Sequence, residues 1–422
     1  MIKAGIHKLL KRLKSDTRGN ILLIAGAGMT VLVGGAGLGV DTVNWYLWKR
    51  QMQQAVDTSA TAGALSLAQG HGYLSSATSE LARTANNAYV IERISNPPTT
   101  GAFAGRNDAV EVIATTSMTL PFSSLFMNRA PVIRTRAVAG AVAIGEPCIR
   151  ALARSGTGIE VIGSALVNLG CPVSSNSPGG VSIDINGSSY LNSDLIMSVG
   201  GVDYATRNIP EDATVMTYGL PVEDPFKNRS LVIPNNGCVL TNHRVGSNRE
   251  ATLGPCEYRG GLTIQGTANL KDGIYVINGG ELKINSGAKV RMATGATGVT
   301  FILTGPTSTQ IATVSINGGA DIDIVATTRE LNANFAGILF YQNPLGVGTQ
   351  HTINGGAHVN LEGAIYMPTG DLSYTGGASQ SAQCLLIVTE RVRFAGNNTI
   401  ANNCNDDLDR IDSSARIVRV VE

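Results

Sequence analysis

The chain has 422 residues, 43% hydrophobic, 15% charged and 5% aromatic, with 50 glycines and a formal net charge of +1. That much apolar content excludes wholesale disorder, and the near-zero charge excludes a globally basic nucleic-acid binder. Fifteen prolines and glycine without a three-residue period exclude collagen. The excess of glycine with few aromatics predicts many short strands and tight turns.

The charge is local. Residues 1–20 carry six Lys/Arg (Lys3, Lys8, Lys11, Arg12, Lys14, Arg18) against Asp16 alone, so the rest of the chain is mildly acidic. Ile21 to Val40 follows as an uncharged run, ILLIAGAGMTVLVGGAGLGV. About 20 apolar residues are what a helix needs to cross a bilayer core. Only Lys49 and Arg50 follow closely, and this asymmetry predicts a cytoplasmic N-terminus. Trp45, Tyr46 and Trp48 lie just past the run, where an aromatic interface belt belongs. A cleaved secretory signal is the alternative. The run is longer than the usual apolar region of about 7–15 residues, and no A-x-A site follows, which favours an anchor.

Trp45, Trp48, Met52, Val56, Ala60, Gly63 and Leu67 recur at spacings of three and four, one face of a helix continuing beyond the membrane. Gly70 and Gly72 should end it. Residues 73–91 read as a second helix, and Pro97 and Pro98 break the pattern. Ala109–Met118 reads as a strand, Pro121–Met127 as a short helical turn, and Val132–Val142 as a second strand. These pieces outline a small α+β unit.

Arg18–Ala25 (RGNILLIA), Gly39–Asp41 (GVD) and Lys49–Ala68 (KRQMQQAVDTSATAGALSLA) carry a resemblance. Together they resemble the N-terminal domain of the TadE/TadG-like family of tight-adherence (Flp) pilus-assembly proteins. The residues aligned with that pattern are Arg18, Gly19, Asp41, Arg50, Gln54, Ala55 and Asp57. Two features depart from it. Prepilins processed after a glycine carry Glu five residues on, whereas this chain has Ile24. Longer relatives often carry a von Willebrand factor A domain. Here Asp57–Thr61 matches its D-x-S-x-[ST] metal motif, but lies on a helix rather than after a buried strand. The resemblance implies a role in assembling a pilus or anchoring it to the envelope, with pilus-assembly proteins or pseudopilins as partners.

From residue 147 the texture becomes strand and turn. Apolar-x-Gly fragments recur at Ile264, Ile284, Ile316, Ile353, Tyr374 and Phe394. The shortest steps between them are about 20 residues, a period that marks a solenoid. The longer step from Ile284 to Ile316 reads as one turn with an insertion, and that from Ile316 to Ile353 as close to two turns. Thr300–Leu303, Ile322–Val325, Gly337–Phe340 and Leu385–Val388 would be core strands. The expected fold is therefore an α+β membrane-anchored stalk followed by an all-β region. That region would be a right-handed parallel β-helix with rungs of about 20 residues. A β-sandwich or jelly roll uses similar strands but gives no reason for the step. The division is a 1–20 cytoplasmic tail, a 21–40 transmembrane helix, a 41–146 stalk and a 147–422 β-helix.

Six cysteines follow the apolar run. Taken in consecutive pairs, their separations are all about 20 residues, near one rung. Residues one rung apart lie side by side at disulfide distance. The expected bridges are Cys148–Cys171, Cys238–Cys256 and Cys384–Cys404, consistent with an oxidising compartment.

Because β-helices often act on polysaccharides, paired carboxylates need weighing. Asp321 and Asp323 share one strand face, Glu362 and Asp371 lie in another rung, and Asp406, Asp407 and Asp409 follow Cys404. None forms a recognisable catalytic constellation. His351 and His358 read as surface residues, and the histidines lack metal-ligand spacing. No catalytic residue, cofactor, metal or nucleic-acid partner is expected. The favoured function is a non-enzymatic structural or assembly component of a Flp-type pilus. It would be single-pass in a bacterial inner membrane, with its C-terminal domain periplasmic. The alternatives are a membrane-tethered carbohydrate-active or carbohydrate-binding β-helix, or an adhesin with a glycan or surface ligand.

Overall fold

In the computed structural model the described residues open with a single unbroken helix, α1 (Gly19–Ala68). The structure describes residues 19–85, 89–125, 127–235, 237–355, 358–376, 381–382, 384–400 and 414–422. The basic tail, Cys404 and the acids Asp406, Asp407 and Asp409 lie outside the described residues. The chain is thus a long N-terminal helix followed by a mostly β region. It forms two compact units, residues 1–142 with Val418–Glu422, and Ala143–Ile417.

In the first unit the two halves of α1 differ. At Ile21 and from Ile24 to Val40 its large apolar side chains are exposed, with Ile21 and Val31 each at 75% and Leu32 at 73%. From Met52 onward the face foreseen in the sequence is buried at Met52, Val56, Ala60 and Gly63, with Leu67 partly buried, and Ala64 joins it. They pack on Ala77 and Leu81 of α2 (Tyr73–Thr84), Val110, Val112 and Ala114 of β2 (Ala109–Ser117), and Ala137 and Ala139 of β3 (Val132–Gly145). Alanines on both sides let the helix lie close to the sheet. The expectation of a helix over 73–91 is corrected at its end. Helix α2 stops at Thr84, and β1 (Tyr89–Ser95) pairs antiparallel with β2. Tyr89, Val90, Ile91 and Ile94 are β-branched or aromatic and favour the pleated surface; Tyr89 and Ile94 reach the core. The fourth strand is C-terminal, Ala415–Val420, so the sheet order is β1, β2, β3, C-terminal strand.

In the second unit every described strand pairing is parallel, and the registers form continuous ladders. One joins Val245, Ile264, Ile284, Ile316, Ile353, Tyr374, Phe394, Val161 and Ile185 as successive partners. All the recurrent positions foreseen in the sequence thus stack directly. The step from Ile316 to Ile353 is corrected: the two are direct register partners, so this is one step with an insertion. A second ladder runs Tyr275, Phe301, Phe340, Ile365, Ile387, Ile149, Val173, Ile196 and Val215. Within it ring centroids lie 5.2 Å apart for Tyr275–Phe301 and 5.6 Å for Phe301–Phe340. A third joins Ala251, Ala268, Val290, Ile322 and Val359. Inward residues of all three form one shared core.

The stack does not follow chain order. Strand Leu385–Ala395 pairs onward with Ile149–Ala151 and Ile159–Val161, so residues 149–216 continue the stack beyond the chain's later strands. Reaching Val239 at the other end then requires a return, made by residues 217–238. Ten strand spacings of about 4.8 Å are about 48 Å, well within the roughly 66 Å reach of about 20 extended residues. The return segment is pinned along the way. The Val222 amide donates to Asn176 at 2.8 Å, the Tyr366 hydroxyl to Asp224 at 3.0 Å, and Arg229 to the Ala333 carbonyl at 3.0 Å. Phe226 meets the Tyr366 ring edge-on at 5.0 Å. Ile302, Ile338, Ala364, Leu386 and Val388 of the stack complete this second apolar cluster. Strands covered on both faces read as continuous apolar runs, as in Val299–Thr304, buried throughout.

Candidate functional site

Asp41 is the most informative polar residue of α1. A carboxylate in a long helix beside an apolar run would ordinarily face water, yet Asp41 is 1% exposed. Its Oδ2 accepts from the Phe122 amide at 3.1 Å, from the Ser123 amide, and from the Ser123 hydroxyl at 2.7 Å. Asp41 therefore caps, from a distant helix, the 3₁₀ turn Ser123–Leu125 between β2 and β3. One turn earlier on α1, Gly37 admits the Phe122 ring. A Cβ there would overlap the ring carbons. Asp41 Oδ1 and the Trp45 indole nitrogen, four residues apart, are buried without a hydrogen-bond partner among the described residues.

The other positions singled out by sequence divide clearly. Gly19 opens α1, and Arg18 lies outside the described residues. Arg50 and Gln54 are exposed, while Ala55 is buried in the helix–sheet core. Asp57 accepts from Gln53 at 2.7 Å. Around it, Thr58, Ser59 and Thr61 spend their hydroxyls on the backbone carbonyls of Gln54, Ala77 and Asp57. Hydroxyls so committed give the D-x-S-x-[ST] match a structural role. Trp45 and Trp48 are half-buried and Tyr46 is exposed.

Sequence reasoning missed the ion cluster at Glu111, because its members come from separated segments. The Glu111 side chain is fully buried and lies 2.7 Å from Arg136 Nε, and the Thr99 hydroxyl donates to it at 2.9 Å. Burial acts to raise its pKa, but Arg136 and Thr99 outweigh burial and hold the carboxyl below its ordinary value. Arg136 also pairs with Glu422 at 2.7 Å, which ties the C-terminal strand to β3.

In the second unit two disulfides join the pairs expected from spacing. Cys148–Cys171 has a Cα separation of 5.8 Å and Cys238–Cys256 of 4.9 Å. Cys384 is disulfide-bonded, and Cys404 lies outside the described residues. Asp321 and Asp323 do share a face. Asp321 pairs with Arg291, which lowers its pKa, and Asp323 accepts from Asn360 at 3.0 Å. A glycosidase general acid needs the opposite shift. Asp371 pairs with Arg391 at 3.3 Å. The expectation that His351 is a surface residue is corrected: it is 1% exposed. Alternation along Thr349–Asn354 turns His351 inward with Ile353. Its Nδ1 accepts from the Val314 amide at 3.2 Å, and burial lowers its pKa to about 4. His358 is exposed as expected. A surface concavity of about 210 Å³ lies over the stacked strands, lined by Glu160, Gln350, Asp371, Arg391 and Arg393 among others. Among the described residues, no group of three or more His, Cys, Asp or Glu side chains could hold a metal ion.

Helix α1 is long and apolar enough over part of its length to cross a membrane. No curated protein matches the chain. Among solved structures, the competence-associated pilin ComZ from Thermus thermophilus is 10% identical, covering 92% of this chain and 95% of its own, with a TM-score of 0.29. A likeness that low carries no argument about fold or function. The exposed apolar half of α1, Asp41 and the buried face from Met52 all fall within residues 19–66, and this segment matches the family model described as putative Flp pilus-assembly TadE/G-like.

Proposed function

We propose that the protein is a structural or assembly component of a tight-adherence (Flp-type) pilus, held in the bacterial inner membrane by α1. The family match over residues 19–66 carries this reading. The exposed apolar run beginning at Ile21 supports a single span, and the six basic residues before it support a cytoplasmic N-terminus. The rest of the chain would then be periplasmic, where disulfides persist. In this reading residues 41–146 are a membrane-proximal stalk and the region from 147 is a right-handed parallel β-helix. The parallel ladders, in which recurrent positions of successive rungs are register partners, support that solenoid. Its role is presentation of a long rigid surface to pilus-assembly proteins or pseudopilins, without catalysis.

The test replaces residues 147–413 by a short linker, keeping α1, the first-unit sheet and its C-terminal strand, in a host that makes Flp pili. Loss of pili, with the shortened protein still in the membrane, supports assembly. Normal pili would overturn it. The concavity at Asp371 and Arg391 favours a second reading, glycan binding or adhesion. Intact pili with lost surface attachment would select it.

A further inference from the structure

The connection between β2 and β3, residues 118–131, is apolar where a surface loop is ordinarily polar. Met118 and Met127 are 43% and 44% exposed. Leu120 is buried, and Phe122 packs against Gly37. Arg129 is exposed at the same tip. Gly37 lies inside the uncharged run of α1, eight residues before Trp45 and twelve before Lys49. At 1.5 Å per residue, the Phe122 contact is about 12 Å below Trp45 and about 18 Å below the first basic residue. The tip is therefore fastened to α1 at a level where the helix exposes apolar side chains. It is held there by the three hydrogen bonds to Asp41 and by a glycine that leaves room for a ring.

We propose that this tip is a second membrane-contacting element. Met118 and Met127 dip into the outer-leaflet acyl region beside α1, and Arg129 reaches the lipid phosphates. The occupant of this surface is lipid. The exposed apolar surface of α1 is continuous with the tip, and the pairing of exposed thioethers with a cation suits an apolar layer beneath an anionic one. Two contacts with the bilayer would fix both the tilt and the rotation of the first unit, which one helix alone leaves free. The proposal rests on α1 spanning a membrane.

The experiment places the photo-crosslinker p-benzoyl-phenylalanine at Met118, Met127, Ile24 or Tyr218, one per protein. The full chain is reconstituted in vesicles of phosphatidylethanolamine and phosphatidylglycerol. Ile24 reports the span, and the 74%-exposed Tyr218 reports an exposed site in the other unit. All four positions are exposed, so a larger side chain there displaces no core residue. Lipid adducts at 118 and 127 with yields comparable to 24, and none at 218, are expected. Adducts at 24 but not at 118 or 127 overturn the tip and leave the span standing. Adducts at none of the three overturn both. Protein–protein adducts at 118 or 127 in place of lipid assign the tip to a second copy and overturn the proposal.

Discussion

Asp41 shows how one side chain can organise a segment far along the chain. Its carboxylate satisfies two backbone donors of the 122–125 turn that would otherwise be buried without partners. Asp41→Ala should loosen residues 118–131 at a cost of about 2 kcal/mol. Faster hydrogen exchange at the Phe122 and Ser123 amides in a lipid nanodisc would register this, and Asp41→Asn, which keeps one acceptor oxygen, should lose less. His351 makes a different prediction. Its folded pKa of about 4 lies below the unfolded value of 6.5. Its contribution to stability is complete above about pH 6.5 and is lost as pH falls toward 4, by up to about 3 kcal/mol. Denaturant unfolding at pH 7 and pH 4.5 should show a smaller difference in His351→Gln than in the parent. An unchanged difference would mean that His351 protonates freely when folded. Crowding around His351 also explains Gly370. A Cβ there would fall within 2.8 Å of Gln342, Thr349 and His351 side-chain atoms. The inward turn of His351 was hidden in the sequence, because histidine is equally at home on a surface and the strand phase around it is set by Ile353.

Elements built from local periodicity were legible. The buried face of α1 was visible because Met52, Val56 and Ala60 repeat within one helix. The parallel ladder was visible because Ile264, Ile284, Ile353 and Tyr374 are each followed by a glycine within three residues. The Cys148–Cys171 and Cys238–Cys256 bridges followed from the recurrent step of about 20 residues. What stayed hidden depends on connections rather than on period. Strand Tyr89–Ser95 follows a helix so closely that its pattern merged with it, and the C-terminal strand pairs with a strand from the opposite end of the chain. The return segment 217–238 has no period at all. Its anchoring to the side of the stack explains why Ile302, Ile338 and Val388 are buried although they point away from the main core. Phe226→Ala should cost about 3–5 kcal/mol and open residues 227–235 to limited proteolysis. If cleavage in that stretch is unchanged and the melting temperature is preserved, the segment is not held by Phe226.

On the scale of the whole molecule, strand order and chain order part company. Leu385–Ala395 lies in the middle of the stack, between Gly363–Thr375 on one side and Ile149–Val161 on the other. The stack therefore closes only when its late strands meet its early ones, and the last residues then return to the first unit through Arg136 and Glu422. In the proposed reading, such an order makes both ends of the polypeptide depend on α1 as the anchor. The orientation of that anchor governs every part of the proposed role. It is tested most directly with one epitope at the N-terminus and another inserted at the exposed Leu345 turn, probed by antibody on intact spheroplasts. The Leu345 epitope should be reached without permeabilisation and the N-terminal epitope only after it. The reverse pattern, or both epitopes recovered in the soluble fraction, would contradict a periplasmic solenoid held by one inner-membrane helix.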